Sequence, residues 1–232
     1  MRNGEITLSA YFPGSNDILN PRSVVDPTLM DKVTYCFWLK IKTDITREHF
    51  VFSYVVGRGE DNEEIMVSIK ITNSTEEALI KLKVRNVQAS VSCSPFLISK
   101  WNRLCMAWRS VDGKVKLIIG EYLCNDEISG VTTELNARFG GLVMLGLDQH
   151  SVDDGLSLNE TVIIGEMTQA NFWREFLNTG QMTRANSCIA QACKSSPCCY
   201  GNQETKSNIT TWIETRFKVL ERLTMSGSFV CK

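Results

Sequence analysis

The chain has few histidines, few prolines and no strong excess of charge of either sign. Its 232 residues include only His49 and His150, five prolines and a formal net charge of −1. A nucleic-acid-binding surface is usually strongly basic, so this balance predicts no nucleic-acid partner. No run of about 18 apolar residues occurs, and we therefore expect no membrane insertion. Met1–Glu5 lacks a signal-peptide core, which leaves a cytosolic chain and a mature secreted chain open.

Common zinc-binding and catalytic motifs are also missing. No Cys-x-x-Cys motif is matched by a second one, and two histidines are too few for most zinc-site spacings. The sequence contains no Gly-x-Ser-x-Gly nucleophile motif. Glycoside hydrolases place two carboxylates in a cleft, whereas the acidic residues here cluster in polar loops. We therefore predict that the protein is not an enzyme.

The nine cysteines are the strongest positive signal in the composition. Without a metal motif they favour disulfides, which persist in oxidising compartments and predict a secreted protein. Cys36 and Cys105 lie in apolar strand-like runs, and a bridge between them would close about 70 residues of chain. The alternative is two free, buried thiols. Since nine is odd, at least one cysteine is unpaired or bridged between chains, and Cys193, Cys198 and Cys199 are the candidates.

Short β-type segments recur along the chain and are separated by turn signals such as Asp112-Gly113. Several alternate apolar and polar residues, which is typical of strands with one buried face. The pattern predicts an all-β, two-sheet antiparallel jelly-roll sandwich with one short helix, from about Thr179 to Asn186. The predicted strands include Val33–Lys42, Phe50–Val56, Glu64–Thr72, Ala78–Val84, Leu104–Arg109, Lys114–Ile119 and Thr161–Ile164.

We find no internal repeat and no domain boundary, so we expect residues 1–232 to form one domain. Within it, residues 188–207 are predicted to form a disulfide-rich loop, and Ile209–Val219 alternates again and is expected to rejoin the sheet. Three Asn-x-Ser/Thr acceptors are candidates for glycosylation, although their number is near what chance gives. They are Asn73, Asn159 and Asn208.

Two acidic loops, residues 59–64 and 147–154, each follow an apolar strand-like run. Each loop is therefore expected to present carboxylate and amide oxygens at one end of a sheet. Calcium binds six to eight such oxygens, so the loops are candidate halves of a calcium site. The second loop carries His150 where another acid would strengthen this prediction.

Residues 101–110 resemble the signature of the pentraxin family. In that signature a histidine, a cysteine, a hydroxyl residue, a tryptophan and a serine follow at fixed spacing. The matching residues are Cys105, Trp108 and Ser110. Arg103 stands in place of the histidine and Ala107 in place of the hydroxyl residue, so the signature is only partly met.

The resemblance continues in order from about residue 5 to residue 231. The segments that carry it are Tyr35–Trp38, Phe52–Tyr54 with Asp61–Glu63, Gly141–Gly146, Gly165–Glu166 and Phe172–Trp173. Cys93, Cys124 and a Cys188–Cys231 pair around a terminal Asn-Ile-x-x-Trp element are most similar to the horseshoe-crab C-reactive and serum-amyloid-P-like pentraxins.

This resemblance implies a jelly-roll protomer with one helix on one face and two calcium ions on the opposite face. It also implies cyclic rings of protomers. The implied ligands are phosphocholine, phosphoethanolamine and acidic or galactose-type sugars, which coordinate the calcium ions directly. Ring assembly multiplies a weak affinity at each single site.

The calcium ligands of the family match this chain only in part. Asp61 and Asn62 match the first loop, Asp148 matches a bridging acid, and Gln149 matches a backbone carbonyl ligand. His150 replaces an aspartate, and imidazole is a poor ligand for a hard cation, so a second calcium ion is not expected. Weaker candidates are Glu160, Asp153, Asp154 and His150. A sandwich that keeps its loops and has lost its metal stays open as the alternative.

Two functions follow from this reasoning. The first is a secreted, ring-forming lectin that recognises phosphate- or sugar-bearing surfaces, at least partly through calcium. The second is a pentraxin-like interaction module that has a degraded calcium site and acts through protein contacts.

Overall fold

The part of the chain that the computed structural model describes contains thirteen β-strands and one α-helix. That part is residues 8–11, 29–41, 48–57, 62–72, 76–128, 132–138, 142–146, 165–185, 208–210 and 218–219. The strands are β1 (Leu8–Tyr11), β2 (Lys32–Ile41), β3 (His49–Val55), β4 (Glu63–Thr72), β5 (Glu77–Val84), β6 (Val87–Cys93), β7 (Asn102–Arg109), β8 (Lys114–Ile119), β9 (Tyr122–Ile128), β10 (Leu142–Leu145), β11 (Gly165–Trp173), β12 (Asn208–Thr210) and β13 (Lys218–Val219). The helix α1 is Thr179–Ala185.

The strands form two antiparallel sheets, which confirms the predicted fold class. One sheet has the order β13-β1-β10-β3-β4-β5-β6, and the other has the order β12-β11-β2-β7-β8-β9. Six of the predicted strands lie within a residue or two of observed ones, and the bounds of β8 agree at both ends. The strand predicted at Thr161–Ile164 lies outside the described residues. Ile209–Val219 contributes to both sheets, through β12 and β13.

The core lies between the sheets and draws apolar side chains from both. In β5 the residues Ala78, Ile80, Leu82 and Val84 are buried, while the residues between them are half-buried. This period of two is what a strand with one core-facing side requires. Burying each large aliphatic side chain contributes about 1.5–3 kcal/mol, so the alternation strongly selects one register.

A second, smaller cluster packs beneath α1. It contains Cys36, Cys105, Ala107, Ile118, Trp173, Leu177 and Met182. The helix begins with a reciprocal cap, in which Gln181 N–H donates to Asn178 Oδ1 (2.9 Å) and Asn178 N–H donates to Gln181 Oε1 (2.8 Å). This short helix was predicted and is confirmed. Among the described residues no helix has the length and apolar character to span a membrane.

Two disulfide bonds lie within the described chain. Cys36 and Cys105 face each other on the neighbouring strands β2 and β7, and a bond joins them. Cys93 in β6 is bonded to Cys124 in β9. Since β6 and β9 are each the last strand of their sheet, this bond ties one edge of the sandwich together. The other cysteines, Cys188, Cys193, Cys198, Cys199 and Cys231, lie outside the described residues.

Candidate functional site

The described structure contains one of the predicted calcium ligands, Asn62, which directly precedes β4. The remaining candidates lie outside the described residues. They are Asp61, Asp148, Gln149, His150, Asp153, Asp154 and Glu160. No three His, Cys, Asp or Glu side chains converge into a possible metal-binding group among the residues that the structure describes.

The strands that lead into the two acidic loops, β3 and β10, are antiparallel neighbours. Val55, the last residue of β3, pairs with Leu142, the first residue of β10. Leu145, where β10 ends, pairs with Phe52. The two loops therefore leave the strand pair at opposite ends, about 10 Å apart at 3.3–3.4 Å per residue.

Asn62 is held at the corner between β3 and β4. Its side chain is buried, and its backbone carbonyl accepts a hydrogen bond from Val56 N–H (2.9 Å). Gly57 approaches it closely with φ +96°, and a Cβ at Gly57 would lie 3.0 Å from Asn62 Oδ1. A residue with a side chain would be strained at position 57 and would crowd this amide, so glycine suits the turn that positions Asn62.

A buried acid and an arginine complete this corner. Glu64 is 1% exposed and accepts two hydrogen bonds from Arg138, one from the backbone N–H (2.7 Å) and one from Nε (2.6 Å). Arg138 Nη2 also donates to Asn62 Oδ1 (3.2 Å). The backbone carbonyl of Arg138 accepts a hydrogen bond from the Tyr54 hydroxyl (3.0 Å). We call Asn62, Glu64 and Arg138 the corner cluster.

The chemistry of the corner cluster is compatible with a nearby cation. The amide oxygen of Asn62 is an acceptor that can face a positive charge, although the Arg138 guanidinium supplies that charge in this structure. Carboxylate and amide oxygens, which the predicted loop residues also carry, are the donor type that calcium selects. The corner is therefore suited in donor type to the metal that the resemblance implies.

Arg138 is the residue of this corner that sequence reasoning missed. Glu64 was part of the first acidic loop, but Arg138 lies 74 residues further along the chain. The neighbouring residues Ala137 and Phe139 form no recognisable motif with it. The sequence signal for it was the excess of acidic residues at positions 60–64, which indicates that a basic side chain from another part of the chain pairs with them.

The residues of the signature segment have structural contacts. Trp108 Nε1 donates to Thr132 Oγ1 (2.7 Å) inside the core. Arg103, which stands in place of the signature histidine, donates through Nη1 to the carbonyl of Thr183 in α1 (2.8 Å) and through Nη2 to the carbonyl of Gly120. Burial lowers the pKa of Arg103, although the charge of Glu121 partly opposes this. The arginine links α1 to the sheet beneath it.

Of the glycosylation candidates, the structure describes the backbone of Asn208. It begins β12 and pairs with Trp173 of β11. Asn73 and Asn159 lie outside the described residues.

Comparison with known families gives a match over most of the chain. The model of the Pentaxin family matches residues 15–226. C-reactive protein 1.1 from Limulus polyphemus is 29% identical over 235 residues, which span 100% of this chain and 90% of that protein. C-reactive protein 1.4 from the same species is 26% identical over 238 residues, with the same coverage of both chains.

Solved structures show the same fold. The native heptameric SAP-like pentraxin from Limulus polyphemus superposes with a TM-score of 0.67 at 20% identity, covering 94% of this chain and 92% of that one. The full extracellular region of zebrafish Gpr126/Adgrg6 gives a TM-score of 0.58 at 15% identity, covering 98% of this chain but 27% of the receptor chain.

Proposed function

Because the chain belongs to the pentraxin family, we propose that this recognition protein is a secreted, ring-forming lectin for phosphate- or sugar-bearing surfaces. Its expected ligands are phosphocholine, phosphoethanolamine and acidic or galactose-type sugars. It acts by binding and carries out no catalysis. The recognition role rests on the family, and the ligands and the calcium are part of the proposal.

The observation that carries the proposal is the family match over residues 15–226. This range includes both acidic loops, so the match extends to the segments that would form the calcium site. Asp61, Asn62, Asp148 and Gln149 would hold one calcium ion there. A bound calcium with open coordination positions supplies positive charge for a phosphate or carboxylate group.

Secretion and ring assembly are supported by separate features. Cys36–Cys105 and Cys93–Cys124 are disulfide bonds of the kind that oxidising compartments maintain. A structurally similar Limulus pentraxin is heptameric. A ring of this kind would present several weak sites to one surface, and simultaneous engagement can raise the avidity by about 10²–10⁴.

Capture on phosphocholine, phosphoethanolamine and galactose resins tests the proposal. We expect the chain to be retained on at least one resin in millimolar calcium and to elute with a chelator. Asp61→Asn, which keeps the shape and removes a ligand charge, should weaken retention by about tenfold, the effect of losing ~1.4 kcal/mol.

Asp112→Asn is the matched control, because Asp112 lies in the turn before β8 and pairs with Arg109. This substitution removes the same charge away from both loops and should leave retention unchanged. Retention that resists the chelator and is unaffected by Asp61→Asn would exclude the calcium-dependent form. Failure to bind any of the three resins would exclude the lectin proposal.

One observation favours a second function, an interaction module without metal. Asn62 Oδ1 is engaged by Arg138, so the corner is already supplied with a positive charge by the protein. Protein contacts would then carry recognition. A covalent dimer that disappears with reductant, together with the absence of calcium binding, would support this second function over the first.

A further inference from the structure

We propose that Arg138 is a built-in cation that competes with calcium for the amide oxygen of Asn62. Calcium binding through Asn62 would then require the Arg138 guanidinium to leave this oxygen. The inference rests on the proposed function for the identity of the metal, and it adds a residue that controls the affinity of the site.

The geometry makes the two cations alternatives. Arg138 Nη2 lies 3.2 Å from Asn62 Oδ1. A calcium ion bound to the same oxygen would stand about 2.3–2.6 Å from it. The two positive charges would then lie within a few ångströms of each other in a partly buried corner, where repulsion is much stronger than in water. The guanidinium therefore has to move before calcium can bind well.

Glu64 keeps Arg138 in place as a permanent competitor. Its carboxylate is 1% exposed and binds both the backbone N–H and Nε of Arg138. Tyr54 adds a third attachment through the Arg138 carbonyl. These three bonds do not involve Asn62, so Arg138 stays beside the corner even when Nη2 releases the amide oxygen.

The charges explain why the corner needs this arginine when calcium is absent. A buried carboxylate is costly unless it is paired, and Arg138 is the partner that Glu64 has in the described structure. The Arg138 side chain is 39% exposed, so the charge that most needs its partner is that of Glu64. The Glu64 carboxylate of the corner cluster is thus paired without metal, and calcium has to displace the existing interaction between Arg138 and Asn62.

Calcium titration by calorimetry tests the inference on two variants of the full chain. Arg138→Gln removes the competing charge and should bind calcium about tenfold or more tightly than the original chain, since one charge-assisted hydrogen bond no longer has to be broken. Arg138→Lys keeps a positive charge near Glu64 but lacks the forked guanidinium, and should show a smaller gain in affinity.

Arg85→Gln is the matched control. Arg85 is exposed in the β5–β6 turn, and its backbone N–H donates to the carbonyl of Glu64 (2.8 Å), so it lies at the same corner. This variant removes the same charge and should leave the calcium Kd within about threefold of the original.

Thermal melts and circular dichroism in chelator show whether the variants fold. Arg138→Gln leaves the Glu64 carboxylate without Arg138, so its melting temperature should fall, and Arg138→Lys should retain more stability. If Arg138→Gln does not fold, the Arg138→Lys titration decides the question.

The outcomes separate this inference from the proposed function. Equal calcium affinity in the original chain, Arg138→Gln and Arg138→Lys would overturn the competition while leaving the calcium-dependent lectin intact. Binding by the Arg138 variants alone would support the competition and exclude calcium from the function of the original chain. Failure of every variant to bind calcium would overturn both.

Discussion

At the scale of single residues, Glu48 shows how a carboxylate charge is paired on the seven-stranded sheet. Glu48 directly precedes β3. Its carboxylate accepts hydrogen bonds from Ser68 Oγ (2.5 Å) in β4 and from Lys81 Nζ in β5. Burial by itself would raise the pKa of Glu48, but these two hydrogen bonds and the charges of Lys81 and Lys70 outweigh it and lower the pKa.

The lowered pKa of Glu48 makes its contribution to stability dependent on pH. A carboxyl whose pKa is lower in the folded state stabilises the fold above its ordinary value of 4.5. The contribution is lost as the pH falls through the folded-state pKa. Glu48→Gln should therefore reduce the free energy of unfolding at pH 7 by about 0.5–1 kcal/mol, because the pair is partly exposed to solvent.

Urea denaturation at a series of pH values measures this difference. The gap between the original chain and Glu48→Gln should narrow steadily below pH 4.5. Glu134→Gln removes a carboxylate at an exposed turn and is the control, which should change the free energy of unfolding little at pH 7. If the difference in the free energy of unfolding between the original chain and Glu48→Gln stayed constant down to strong acid, the charge of the Glu48 carboxylate would not be what stabilises the fold.

At the scale of elements, the strands with strong alternation were predictable and the edge strands β6 and β9 were not. The segment that forms β8 predicts its own bounds, because lysines alternate with apolar residues from Lys114 onward. In β6, by contrast, Ala89, Ser90 and Ser92 supply little apolar contrast, so periodicity gives a weak signal. Pairing with β5 decides that this segment is a strand.

The Cys93–Cys124 bond joins β6 to β9, and we predict that it contributes strongly to stability. The two cysteines are separated by 31 residues, and the chain-entropy model for a loop of that size gives about 4 kcal/mol. Replacing both with alanine should lower the free energy of unfolding by roughly that amount. Urea denaturation without reductant measures the change.

Replacing Cys36 and Cys105 with alanine is the comparison, since that bond lies within one sheet and leaves the link between sheets intact. Both pairs should cost several kcal/mol by the same model. Only loss of Cys93–Cys124 should speed hydrogen exchange selectively in β6 and β9. If hydrogen exchange became faster to the same extent in all strands of that variant, the bond would not act by holding β6 and β9 together.

At the scale of the whole molecule, the proposed ring needs an apolar contact surface. The β8–β9 hairpin carries Tyr122 and Leu123, which are 64% and 46% exposed. Large exposed apolar neighbours are typical of association surfaces. We therefore predict that this hairpin contributes to the contact between protomers.

The double substitution Tyr122→Ser and Leu123→Ser should shift sedimentation from a ring toward the monomer. Val111→Ser removes an even more exposed apolar residue (76%) at another turn and is the control, which should keep the ring. An intact ring in the hairpin variant would place the protomer contact elsewhere. A monomeric original chain would exclude ring formation altogether.

The sequence by itself determined the family, the all-β class, the short helix and six of the thirteen described strands, because alternation, cysteine positions and turn residues are local signals. Tertiary structure decided the link between Cys93 and Cys124, the opposite exits of the two acidic loops, and the pairing of Glu64 with Arg138. Each of these depends on which strands become neighbours and in which register. No local pattern encodes a contact between residues 74 positions apart.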